Sequence, residues 1–86
     1  MITKREVLEF FEDQETLGMS VSARQLVRHF RDFQLTQRAA EEHLIRLRRQ
    51  ALIHPTSGDH FILTARGRRR LEWYRGETSG GTITFA

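Results

Sequence analysis

Between Leu35 and Ile53 the chain reads LTQRAAEEHLIRLRRQALI, a pattern that leaves few folds open. At about 3.6 residues per turn, Ala40, Leu44, Leu47 and Ala51 fall on one narrow stripe, while Arg38, Glu42, Ile45 and Arg49 fall on the opposite side. One side is core and the other is a working surface. Thr36 stands where its hydroxyl can accept a hydrogen bond from a free amide of the first turn, so the helix is expected over residues 37–50. Past Ala51 the pattern changes to Leu52 and Ile53, then Pro55 and a Ser57-Gly58-Asp59 cluster, which stops a helix and suits a hairpin. A helix that feeds a small β-ribbon is the expected centre of the fold.

Eighty-six residues make a single domain with one thin core. The absence of cysteine excludes a disulfide framework, a thiolate metal site and a cysteine nucleophile. The opening MITKREVLEF lacks the apolar core of a signal peptide, and no apolar run approaches membrane-spanning length, so the expectation is a cytoplasmic protein without membrane contact. Charge is unevenly placed. Up to Ser20 there are two basic and five acidic side chains, and afterwards twelve basic and six acidic. The positive field of the later segments favours an anionic partner.

Thr3 and Glu6 have the spacing of a capping box, with Ile2 and Val7 placed as a hydrophobic staple. They open a first helix from about Lys4 to Glu15, whose Val7, Leu8, Phe10 and Phe11 are apolar and whose other side is acidic. Acidic side chains repel phosphates, which makes this helix scaffold. After Gly18, Met19-Ser20-Val21 allows only a very short strand. Ser22 and Gln25 repeat the capping-box spacing and start a second helix over Ala23 to about Arg31. Ala23, Leu26, Val27 and Phe30 form its expected buried face, and Arg24, Arg28 and Arg31 a basic stripe, either solvated or set against phosphates. Residues 53–64 read as two short strands around Thr56-Ser57-Gly58-Asp59. Thr64 can cap a fourth helix from Ala65 to about Arg75, anchored by Leu71 and Tyr74 with Trp73 beside them. The winged domain is thus expected over 1–75 and a flexible tail over 76–86, in which Thr82-Ile83-Thr84-Phe85 alternates in the manner of an edge strand.

Helix, short strand, helix, helix, hairpin, helix is the pattern of a mainly α, α+β winged helix-turn-helix domain, in which the third helix reads DNA. The chain also resembles a family at this point. Leu35 to Ile53 is similar to the recognition-helix segment of MarR-like and PadR-like regulators, with Ala51 where the family has glycine. Phe61-Ile62-Leu63-Thr64-Ala65-Arg66-Gly67-Arg68 resembles their passage from wing to last helix, and Ser22-Ala23-Arg24-Gln25-Leu26 adds a third piece in the correct order. The resemblance implies a DNA-binding transcriptional regulator, acting as a homodimer on a roughly palindromic duplex and dimerising through its terminal helices.

On that reading Gln37 and Arg38, just after Thr36, meet base edges. Glu42 can accept from cytosine N4, and Arg24, Arg28, Arg31, Arg46 and Arg49 hold phosphates. Arg66 and Arg68 add sequence-independent attraction. Two features keep a second class open. Glu42 is spaced to pair with Arg38, Arg46 or Arg49 along the helix. Ile45, on the exposed side beside Glu41, suits a thymine methyl or an apolar patch on a protein partner equally well. The hairpin tip carries no cation. His29, His43, His54 and His60 lack ligand spacing, so no metal or other cofactor is expected. Neither a nucleophile elbow nor a phosphate loop is present, and no enzyme activity is expected.

Overall fold

A computed structural model describes residues 2–83, with side chains described as far as Gly76. The elements run α1 (Lys4–Thr16), α2 (Ala23–His29), a single 3-10 turn (Arg31–Phe33), α3 (Gln37–Arg49), β1 (Ile53–Pro55), β2 (Phe61–Leu63) and α4 (Ala65–Ile83). This is a mainly helical α+β domain with one antiparallel hairpin, in the register Ile53↔Leu63, His54↔Ile62 and Pro55↔Phe61.

Local signals set all four helix starts, with Thr64 Oγ1 accepting from Gly67 N–H at 3.0 Å at α4. Thr3 N–H donates to Glu6 Oε1 at 2.8 Å and Glu6 N–H returns to Thr3 Oγ1 at 3.2 Å, which closes the first capping box. The bond from the Thr3 amide holds the Glu6 carboxyl below its ordinary pKa. Ser22 and Gln25 repeat the arrangement at α2, and Thr36 Oγ1 accepts from Ala39 N–H at 3.1 Å at α3. The core gathers Val7, Leu8 and Phe11 of α1, Leu26 of α2, Leu47 of α3, Leu52 and Leu71, all essentially inaccessible to water. The expected short strand at Met19-Ser20-Val21 is a single bridge. Val21 and Phe61 exchange both amide bonds, at 2.9 and 2.8 Å, and this ties the segment before α2 to the hairpin.

Two boundaries depart from the sequence reading. The second helix ends at His29, not near Arg31. Phe30 is its C-cap and is buried, and the chain then tightens into the 3-10 turn and leaves it through Gln34 at φ 57°. The fourth helix continues past Arg75, so that the backbone expected as flexible tail is helical as far as Ile83. No proline interrupts it, and each glycine weakens a helix by about 1 kcal/mol without removing an amide donor. Thr82 and Ile83 lie in α4, whereas Thr84 and Phe85 lie outside the described residues.

The acidic side of α1 is occupied by α4. Arg68 pairs with Glu15, and Arg75 Nη1 donates to Glu12 Oε2 at 3.2 Å, which holds the Glu12 carboxyl below its ordinary range. Both pairs are partly exposed, and each adds a fraction of a kcal/mol at most, setting the orientation of α4 more than its stability.

At its other end α3 closes with a complete Schellman motif. Leu52 N–H donates to Leu47 O at 3.0 Å and Ala51 N–H to Arg48 O at 2.9 Å, with Ala51 left-handed at φ 60°. An L residue there costs about 1–2 kcal/mol, and glycine's greater freedom in the unfolded chain returns roughly half of that. Ala51→Gly is therefore expected to stabilise the domain by about 0.5–1 kcal/mol, read as a raised urea midpoint with unchanged slope. A lowered midpoint would mean that the backbone at Ala51 is not under the strain its φ indicates.

Candidate nucleic-acid interface

The two rows read from the α3 sequence separate as the helical period requires. Ala40, Leu44 and Leu47 are buried and Arg38, Glu42, Ile45 and Arg49 are exposed, whereas Ala51, expected on the core row, lies past the helix end in the left-handed turn and is exposed. Ile45 keeps 51% of its surface in water, a large unpaired apolar contribution for an outward position. Glu42 stands between two arginines, with Arg38 Nε 3.7 Å and Arg46 Nη2 4.0 Å from its carboxylate oxygens. Gln37 Nε2 donates to Glu41 Oε2 at 3.2 Å. Exposed pairs at i,i+4 spacing are worth about 0.3–0.5 kcal/mol, so a phosphate can recruit either arginine at little cost. The carboxylates thus hold the arginines extended along the helix without sequestering them.

The expected site residues divide into three groups. Arg24, at the start of α2, shares a cleft of about 380 Å³ with Ser22, Gln37 of α3, and Asp59 and His60 of the hairpin. Arg38, Glu42 and Arg49 follow Gln37 along the exposed side of α3, whereas Thr36 and Arg46 border a second hollow with Ile2, Phe33 and His43. Arg28 borders a hollow lined by Phe10, Gln14 and Met19, and so leans toward α1. Arg31 sits in the 3-10 turn beyond the end of α2, so the expected helical stripe of three arginines is two residues long. Arg68 is held by Glu15 against α1, and Arg66 is exposed in the first turn of α4.

The same side holds features that the sequence did not single out. Arg48 is exposed in the last turn of α3 and adds a cation beside Arg49. A groove of about 280 Å³ runs between α3 and β2, with Ala23, Leu44, Ile45 and Phe61 as its apolar lining and Glu41 and Asp59 at its rim. It exists because the Val21–Phe61 bridge fixes the hairpin beside the start of α2, a long-range pairing with no local signal. The hairpin tip is anchored as well, since Ser20 Oγ and His60 Nδ1 lie 2.9 Å apart. The Asp59 carboxylate is 3.9 Å from the other ring nitrogen, too far for the hydrogen bond that would orient a catalytic imidazole.

Packing accounts for His29 and His43, while His54 is exposed on β1. His29 stacks on Phe10 with ring centroids 4.2 Å apart. His43 is half-buried beside Arg46. Burial pushes its imidazole below the ordinary value, Arg46 adds to the shift and Glu42 opposes it, so the ring is neutral near pH 7. Among the described residues no three histidine or carboxylate side chains converge as a metal site would require, and no helix is long and apolar enough to cross a membrane. Comparison with protein families, with curated proteins and with solved structures finds no match to this chain.

Proposed function

We propose that this chain is a winged helix-turn-helix protein that binds double-stranded DNA, with α3 in the major groove and the start of α2 over the adjacent backbone. The observation that carries this reading is the outward row of α3: exposed along its length, uncovered by the described residues, and flanked by Arg24 at one end and by Arg48 and Arg49 at the other. Between Gln37 and Arg49 there are four arginines and two glutamates, a net charge of +2. Arg24, Arg46, Arg48 and Arg49 hold phosphates, and Gln37 and Arg38 reach base edges. Control of transcription is the role we propose for such a DNA-binding module.

Arg38→Ala is expected to relax sequence preference by about 1–3 kcal/mol, whereas Arg24→Ala weakens binding to every duplex alike and lowers the salt slope by about one. Arg28→Ala, turned toward α1, leaves that slope unchanged. The measurement is a fluorescence titration across a salt series, with random-sequence duplex for the slopes and a panel of defined duplexes for the preference. Affinity that does not fall as salt rises would rule out phosphate contact.

The groove between α3 and β2 favours a second reading, a protein-interaction module. Ile45, Leu44 and Phe61 would receive an apolar side chain, and Glu41 and Asp59 a cation on the same partner. Binding of that kind weakens only slightly across the salt series, because the rim ion pairs are screened while the apolar contact is not, and it is lost in Ile45→Arg.

A further inference from the structure

The outward row of α4 is a different surface. With Leu71 buried in the core, a helical period places Arg66, Arg69 and Trp73 on the far side of the helix, with Arg70 at its edge. Arg68 and Arg75 lie on the flank that α1 occupies. Trp73 is 54% exposed. The Arg70 guanidinium sits 5.8 Å from its ring centroid, and Tyr74 meets it edge-on at 5.2 Å. Among the described residues Arg66, Arg69 and Arg70 have no carboxylate partner, whereas the arginines at positions 68 and 75 do. An exposed aromatic ring beside three arginines, one of them over its face, puts a free π-surface and positive charge in one place.

We infer that this row, Arg66, Arg69, Arg70 and Trp73, is a binding surface for single-stranded nucleic acid, on which a base stacks against the indole while the cations track the backbone. Charge selects a polyanion, and the exposed ring selects one with free π-faces. Duplex DNA offers the charge but keeps its base faces inside the helix, so it leaves Trp73 without a partner. A second copy of this chain fits poorly. A two-fold contact would set the same three arginines against each other. An anionic membrane would meet a single apolar side chain in a row otherwise of arginines, too little to insert. The surface is independent of the proposed α3 contact, since α4 packs chiefly on α1 and β2.

Trp73 is the chain's single tryptophan, so its emission reports on this surface alone. Titration of the full chain with short oligo-dT and oligo-rU is expected to quench that emission saturably, with weakening as salt is added. By anisotropy of a labelled strand, Trp73→Ala is expected to lose roughly tenfold in affinity and Trp73→Phe to keep most of it, while Arg69→Ala reduces the salt slope. Trp73→Ala leaves duplex binding through α3 as it is in the parent chain, so failure of the duplex reading and failure of this one are distinguishable. The inference is overturned if inorganic polyphosphate of equal charge binds as tightly as the strands, or if Trp73→Ala binds them unchanged. It is equally overturned if anionic vesicles shift the emission to the blue while oligonucleotides do not, or if sedimentation shows a dimer that protects Trp73 from quenching by added iodide.

Discussion

Gly67→Ala is expected to destabilise the domain by about 2–4 kcal/mol, although alanine is the better helix former. A Cβ on Gly67 would stand 2.2 Å from the backbone oxygen of Leu52 and 2.7 Å from Leu63 Cδ1. The leucine tip can turn aside, but the carbonyl cannot. Leu52 O accepts from Thr64 N–H at 3.1 Å, and the Thr64 hydroxyl bonds Ala51 O at 2.7 Å while receiving Gly67 N–H at 3.0 Å. This knot joins the end of α3, the hairpin and the start of α4. Overpacking costs about 1–3 kcal/mol and a weakened buried hydrogen bond about 1–3 kcal/mol, against roughly 1 kcal/mol regained in helix propensity. Gly76→Ala is the control, because nothing among the described residues lies within 4 Å of its added methyl. It is expected to be neutral or stabilising by up to about 1 kcal/mol. Urea unfolding of the two variants tests the difference. Equal midpoints would mean that the approach of α4 to Leu52 is looser than these distances require.

Gly67 also marks where the sequence stops being legible. Its place in a Thr-x-x-Gly passage can be read from the chain, but the carbonyl that demands a glycine arrives from a different segment. Thr3 with Glu6, Ser22 with Gln25, and Thr36 are legible for the opposite reason, since each cap is closed within four residues and needs no partner from elsewhere. The two rows of α3 are legible because burial follows a fixed period. The end of α2 is not: Phe30 caps it without a glycine, and the left-handed residue that ends the following 3-10 turn is Gln34, where a sequence signal would be glycine or asparagine. Nor is the far end of α4, because Gly76, Gly80 and Gly81 lower helix propensity without forbidding the helix. At the candidate interface the sequence identifies the arginines but not their neighbours. Arg28 and Arg68 share the residue type of Arg24 and Arg49, and only tertiary packing turns the first pair toward α1 and leaves the second pair on the α3 side.

Leu47→Ala is expected to cost about 2–5 kcal/mol, the range for truncating a buried leucine that leaves a cavity its neighbours only partly fill. Leu47 is 1% exposed and has two roles. Its side chain belongs to the buried row that seats α3 on the rest of the fold, and its carbonyl accepts from Leu52 N–H in the motif that closes the helix. Such motifs pair the side chains at these two positions, and both leucines are buried in the same core. The truncation therefore loosens the seat of α3 and the turn that sends the chain into β1. A domain of this size is held together by about 5–10 kcal/mol, so the variant retains a small margin and its unfolding midpoint falls steeply. Nothing on the exposed row changes. If α3 binds duplex DNA through that row, the folded fraction of Leu47→Ala keeps the salt slope of the parent chain, while Arg24→Ala keeps the parent's stability and loses slope. A Leu47→Ala variant as stable as the parent would show that α3 is seated by other contacts. A folded variant with an altered slope would show that the groove-facing row depends on the packing beneath it.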